Sequence, residues 1–220
     1  MVYLPPFNTQ PDRDLIHACI RANPLGLLIT IGAAGLAANQ IPFVLRAGAD
    51  GSETLIGHVA RNNPVWHAGE SVGESLVVFQ ASDAYISPNW YPSKAETHRT
   101  VPTWNYVTVH AYGELIIHDD PQWVRGAVGR LTKQMESTQP KPWKMADAPP
   151  DFMASMIENI VGIELPVTRL VGKWKLGQNR SLSDREGVIA GLRAAGDPGS
   201  AQVATDMQHA LDRSKVDNDR

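Results

Sequence analysis

The sequence predicts an α+β fold built on a mainly antiparallel β-barrel with flanking helices. Three observations carry this. Extended apolar runs recur at 27–31, 36–45, 54–59, 76–80, 101–118 and 162–176, most of them bounded by Gly, Pro, Asp or Asn. The first connections between them, Gly32-Ala33-Ala34-Gly35 and Ala47 through Ser52, are short and Gly-rich, which suits hairpins and so antiparallel neighbours. Helical stretches interrupt this meander instead of alternating with every strand, and a closed sheet is one way for such strands to avoid exposed edges.

The elements follow in chain order. A first helix is expected over 11–22, because Pro11 suits a first helical position, Asp12 and Asp14 sit in the first turn, and Leu15, Ile16, Cys19 and Ile20 repeat at helical spacing. Asn23-Pro24 ends it. After three strands, Asn63-Pro64 starts a short helix over 64–68, and Asp120-Pro121 starts a longer one over 121–136. A Pro-rich connection with Pro140, Pro142, Pro149 and Pro150 leads to a helix near 150–160. Ser183 and Glu186 have capping-box spacing, predicting a helix over 183–195 that Gly196-Asp197-Pro198-Gly199 breaks. A weak helix over 201–213 and a frayed tail over 214–220 close the chain. One domain over 1–196 with a polar tail over 197–220 is the expected organisation.

Composition narrows the class of protein. A chain of 220 residues that is 43% hydrophobic and 20% charged buries a sizeable core and is neither fibrous nor wholly disordered. The single cysteine, Cys19, makes no internal disulfide, and no Cys/His cluster has zinc spacing, so no metal site is expected. The start MVYLPPFNTQ lacks signal-peptide features, and the apolar run from Gly26 to Ala38 is too short to span a bilayer, so a cytoplasmic protein without membrane contact is expected. A net charge of −3 lends nucleic-acid binding no bulk support, though local basic patches are compatible with it. Phosphate-loop, dinucleotide, serine-elbow and zinc-protease signatures are absent, and no catalytic residue is assigned.

Three segments carry candidate chemistry. The stretch from Tyr85 to Tyr106 concentrates Trp90, Tyr91, Lys94, Thr103, Trp104 and Asn105 around several prolines. It reads either as a site for a flat, partly polar ligand or as an aromatic cap on one end of the barrel. His58, Arg61, Asn62 and Asn63 join a strand to a helix start, where a cation beside free backbone N–H groups suits a phosphate; the plainer reading makes Asn63 a cap and Arg61 a solvated side chain. From Arg169 to Lys175 alternation puts Lys173 and Lys175 on one face, and Gln178, Asn179 and Arg180 follow in the turn. That face reads as an anion site or as edge lysines that oppose aggregation. His110 is read as a structural histidine.

Taken together, residues 1–7, Asn39-Gln40-Ile41-Pro42-Phe43, Gly57 through Pro64, 85–94, Val101 through Tyr106, Lys175 through Arg180, Asp184-Arg185 and Gly187-Val188-Ile189 resemble the PaiB-type negative transcriptional regulators. The resemblance implies an FMN-binding split barrel related to pyridoxamine-phosphate oxidases and flavin reductases, a homodimer, FMN as cofactor, and DNA as a partner. Two further readings are a flavin-dependent oxidoreductase and a flavin-free dimeric interaction module. Asn39-Gln40 stands where the family pattern has Thr-His; amides also hydrogen-bond a phosphate or a flavin edge. Arg61 is the first choice of phosphate partner, with Lys173, Lys175 and Arg180 as rivals.

Overall fold

A computed structural model describes residues 2–67 and 71–218. The chain forms two compact units. One consists of Asp14–Phe79 and Val109–Leu170, the other of Met1–Arg13, Gln80–Thr108 and Val171–Arg220.

In the first of these, helix α1 (Arg13–Ala22) buries Ile16 and Ile20, as its apolar spacing requires. Strands β2 (Leu25–Gly32) and β3 (Gly35–Pro42) form a hairpin with Gly32 opposite Gly35. Gly35 takes a φ of +100°, a region closed to most side chains, so this tight reversal depends on glycine. The expected strand over 36–45 is interrupted. Phe43 is fully buried and donates its N–H to Pro24 O (2.8 Å), and the chain leaves the β2–β3 hairpin there to begin β4 (Val44–Ala47) in a second sheet. That second sheet has the order β4-β5-β9-β8, with β5 (Glu53–Ala60), β8 (Ile116–His118) and β9 (Ile160–Pro166).

Two further helices belong to this unit. Helix α3 (Pro121–Glu136) starts where the Asp120-Pro121 pair predicts, the Asp120 carboxylate accepting from the N–H groups of Gln122 (3.1 Å) and Trp123 (3.2 Å). Helix α4 (Pro150–Glu158) buries Met153 and Ile157. The expected helix over 64–68 is a single 3-10 turn, Pro64–Trp66, and Ala68 lies outside the described residues.

The other unit holds strand β1 (Thr9–Gln10), the last residues of β6 (Ser75–Ile86), the first of β7 (Thr103–Gly113) and most of β10 (Arg169–Lys175), in the order β1-β10-β7-β6. Strand β6 runs to Ile86, further than the expected 76–80. The segment after it is ordered as a 3-10 turn (Pro88–Trp90) and a short helix α2 (Ser93–Thr97). Its anchor is Asp184, whose carboxylate accepts from Ser93 N (3.0 Å) and Ser93 Oγ (2.8 Å).

Helix α5 (Leu182–Ala195) starts slightly before the predicted position. Ser181, not Ser183, is its cap, accepting from the Asp184 N–H at 3.2 Å. The break at Gly196 is where it was expected, but α6 (Pro198–Asn218) is longer than the expected weak helix and buries Val203, Ala204, Met207 and Leu211. Residues 214–218, expected to fray, continue that helix, and residues 219–220 lie outside the described residues. Among the described residues no helix is long and apolar enough to cross a membrane.

Candidate functional site

The predicted site residues divide between the two units. In the first, Asn39, Arg61, Asn62 and Asn63 gather where β5 ends. Asn63 Nδ2 donates to Asn39 Oδ1 (2.9 Å), and Asn63 Oδ1 accepts from the Val65 N–H (3.0 Å), so its side chain both caps the 3-10 turn and holds the strand β3 amide. Arg61 donates from Nε to Glu158 O (2.6 Å) and from Nη2 to Ile160 O (3.3 Å), while Nη1 and Nη2 reach the Asp119 carboxylate at 3.1 and 2.5 Å. Its guanidinium lies 5.8 Å from the centre of the Trp66 ring, and Trp66 Nε1 donates back to Arg61 O (2.8 Å). The Arg61 pKa is raised, chiefly by its hydrogen bond to Asp119, and that of Asp119 is lowered by the same bond.

Arg61 and Asn62 line an open recess with Ala60 and Asn159. His58, half-buried on β5 opposite Gly162, has its pKa pushed down by burial and therefore favours the neutral ring. Gln40 is exposed on β3.

In the second unit a cavity of about 360 Å³ brings together Tyr91, Thr103, Asn105, Lys173, Lys175, Asn179 and Arg180 from the predicted set. Lys173 Nζ lies 5.2 Å from the Tyr106 ring centre and 5.8 Å from that of Tyr3; Lys175 Nζ lies 5.8 Å from Tyr106; the Arg180 guanidinium lies 5.0 Å from Tyr91. Lys175 Nζ donates to Thr103 Oγ1 (2.7 Å) and to Trp104 O. Its pKa is lowered, first by burial and then by the positive charges of Lys173 and Arg180. Among the described residues no Asp or Glu lines the cavity.

Other predicted residues are held in different ways. Trp90 packs against α5, where a methyl group at Gly191 would overlap the indole. Lys94 donates to Asn89 Oδ1 beside a shallow recess. Trp104 is 53% exposed and meets Tyr85 edge-on at 6.1 Å. Gln178 closes the turn after β10, accepting from Leu176 N (2.8 Å) and donating to Trp174 O (2.5 Å).

Sequence reasoning did not single out Tyr3, Phe7 or Tyr106 as site residues. Tyr106 was legible in principle, since strand alternation puts it on the same face of β7 as Trp104. The N-terminal residues have no such periodicity, and reach the cavity only because Thr9 and Gln10 pair with Lys173 and Gly172.

Solved proteins share this architecture. The FAD and heme binding protein from Mycobacterium smegmatis aligns with 86% of this chain and 80% of its own, at a TM-score of 0.55 and 16% identity. The flavocytochrome Anf3 from Azotobacter vinelandii aligns with 76% of this chain and 69% of its own, at a TM-score of 0.53 and 13% identity. The fold is the α+β split barrel.

Residues 2–169 match the family described as "Putative FMN-binding domain", and the chain belongs to that family, whose cofactor is FMN. An uncharacterised protein of Emericella nidulans is 33% identical over 89% of this chain and 92% of its own length. The protease synthase and sporulation protein PAI 2 of Bacillus subtilis is 29% identical over 96% of this chain and 98% of its own.

Proposed function

We propose that this chain is an FMN-binding regulatory protein of PaiB type, a cytoplasmic homodimer that receives the flavin phosphate where β5 ends, on Arg61, Asn62 and Asn63. The fold over 1–196 carries the flavin, and 197–220 is an addition to it. One observation carries the placement: Arg61 is positioned by two backbone carbonyls, of Glu158 and Ile160, independently of its ion pair with Asp119. The guanidinium therefore stays aimed when its anionic partner is exchanged.

A phosphate is a stronger acceptor than a carboxylate and presents more oxygens, and an exposed Arg–Asp pair is weakly held. The recess beside Arg61 is open, and the Asn39–Asn63 pair adds amide groups that suit phosphate oxygens. This junction also lies inside residues 2–169, the span that matches the FMN-binding family. Bound FMN supplies a ring that accepts and returns electrons; the chain's own groups bind its phosphate and set its orientation.

The regulatory part of the reading is supported by the likeness over 96% of the chain to the Bacillus subtilis sporulation protein. Its test is a comparison of flavin-free, FMN-loaded and chemically reduced protein on duplex DNA from its own upstream region, across a salt series. A flavin-dependent change in retention is expected. Steady turnover of reduced nicotinamide with no effect of flavin on DNA retention would replace the regulator by an oxidoreductase.

A further inference from the structure

We infer that Lys175 is a reactive amine that takes a small 2-oxo acid as an imine, with the acid's carboxylate held by Lys173 and Arg180. All of these groups belong to one compact unit.

The hydrogen bonds of Lys175 carry the argument. Its Nζ donates to Thr103 Oγ1 (2.7 Å) and to Trp104 O. A neutral amine has two hydrogens, so these two oxygens use both and leave its lone pair free. An ammonium would bring a third hydrogen and a charge with no anion to meet it, since among the described residues no Asp or Glu lines the cavity. Burial and the neighbouring charges of Lys173 and Arg180 act in the same direction and lower the Lys175 pKa. A lysine desolvated beside another cation is an activated nucleophile.

The two lysines differ in what faces them. Lys173 is 7% exposed, and its ammonium lies 5.8 Å from the Tyr3 ring centre and 5.2 Å from that of Tyr106, rings that attract a cation. Lys175 reaches Tyr106 alone, at 5.8 Å, and is held by two neutral oxygens. Alternation along β10 puts both lysines on one face, so a charged neighbour stands beside the amine. Lys175 also ties β10 to the start of β7, but that role alone asks for no cation on either side of it.

Imine formation needs only these groups. The Lys175 lone pair attacks the carbonyl carbon, a C–N bond forms, and the carbonyl π pair moves to oxygen, which gains the proton that the nitrogen loses. The resulting hydroxyl leaves as water: the C–O bond breaks, Lys173 supplies a proton to the oxygen, and the nitrogen lone pair closes the C=N bond. The nitrogen's remaining proton returns to Lys173, so one carbonyl and one amine become one imine and one water.

The rest of the wall selects the carbonyl compound. Arg180, 5.0 Å from the Tyr91 ring centre, offers a guanidinium fork and Lys173 an ammonium, which suit a carboxylate, and a cavity of about 360 Å³ has room for a small acid. A 2-oxo acid carries that carboxylate one bond from the carbon that Lys175 attacks, which matches two cations beside one amine.

The test treats the full chain, flavin-free and FMN-loaded, with pyruvate or acetone and sodium cyanoborohydride at pH 7, and locates the reduced adducts by peptide mass spectrometry. Each rate is taken relative to the exposed Lys141 of the same sample. Lys173→Met and Arg180→Gln are run beside the parent and checked by thermal unfolding; Arg180 is only partly buried, so its variant keeps the test open if Lys173→Met folds poorly.

Pyruvate adducts are expected at Lys175 about tenfold or more above Lys141, the gain in free amine when the charged form is disfavoured by about 1.4 kcal/mol. Acetone should show a smaller preference for Lys175. Lys173→Met should reduce the pyruvate preference, and Arg180→Gln should bring it down to that of acetone. No preference for Lys175 over Lys141, a preference as large with acetone as with pyruvate, or an unchanged preference in both folded variants would each overturn the inference. With FMN bound, labelling of Lys175 is expected to persist. If FMN abolishes it while the flavin-free protein is labelled, the reactive amine stands and the flavin phosphate moves from Arg61 to this cavity, which refutes that placement alone.

Discussion

Removing Arg61 and removing Asp119 should move FMN affinity in opposite directions. In the structure the Arg61 guanidinium spends Nε on Glu158 O and part of Nη2 on Ile160 O, and the remaining donors point at Asp119. Binding of the flavin phosphate then exchanges one anion for another at a fixed cation. Arg61→Ala deletes the cation, and losing a charged hydrogen-bond partner corresponds to about ten- to a hundredfold weaker FMN. Asp119→Asn deletes only the competitor. The side chains of Arg61 and Asp119 are 40% and 49% exposed, so the ion pair is worth little and its removal should tighten FMN by roughly two- to fivefold.

The assay is quenching of flavin fluorescence during titration, run in parallel with riboflavin, which has the ring but no phosphate. Riboflavin affinity should be the same in all three proteins. If Arg61→Ala keeps the parent's preference for FMN over riboflavin, or if Asp119→Asn binds FMN less tightly than the parent, the phosphate does not sit on Arg61. The predicted gain in Asp119→Asn should also shrink as salt rises, because the groups are exposed.

Three further outcomes follow from the geometry. The charged form of Lys175 is disfavoured on folding by burial and by Lys173 and Arg180, so this group's penalty is relieved as pH rises through its lowered pKa, below the ordinary lysine value of 10.5. Thermal unfolding of the parent should therefore gain on that of Lys175→Met as pH rises from 7 to 10; a difference between the two that does not change with pH would refute this. Gly191→Ala should destabilise the protein by roughly 1–3 kcal/mol through overlap with Trp90, lowering the melting temperature by several degrees; an unchanged melting curve would show that Trp90 is not held against α5. Light scattering of the FMN-loaded protein should return twice the 24.0 kDa chain mass, and a monomer mass at micromolar concentration would remove the homodimer.

The division of labour between sequence and tertiary structure is visible in particular residues. Alternation and punctuation are local properties. They were enough to place α3 from Asp120-Pro121, the β2–β3 hairpin from its glycines, and Lys173 with Lys175 on a common face. Local rules failed where a distant residue decided. Phe43 breaks the expected strand over 36–45 because it is buried and bonded to Pro24. The segment after Ile86 is ordered because Asp184, ninety-one positions beyond Ser93, receives its N–H and hydroxyl.

The site divides in the same manner. The inventory was legible residue by residue: amides at 39, 62 and 63, the cation at 61, and the basic strand with its turn. The sequence could not tell that Arg61 faces Asp119, since the two are separated by 58 positions and meet only through folding. Nor could it tell that Lys173 is buried among rings, with the N-terminal segment laid along β10 to bring Tyr3 near it. Charge and periodicity are written residue by residue, whereas burial and pairing depend on which elements pack together, and that is settled only by the tertiary structure.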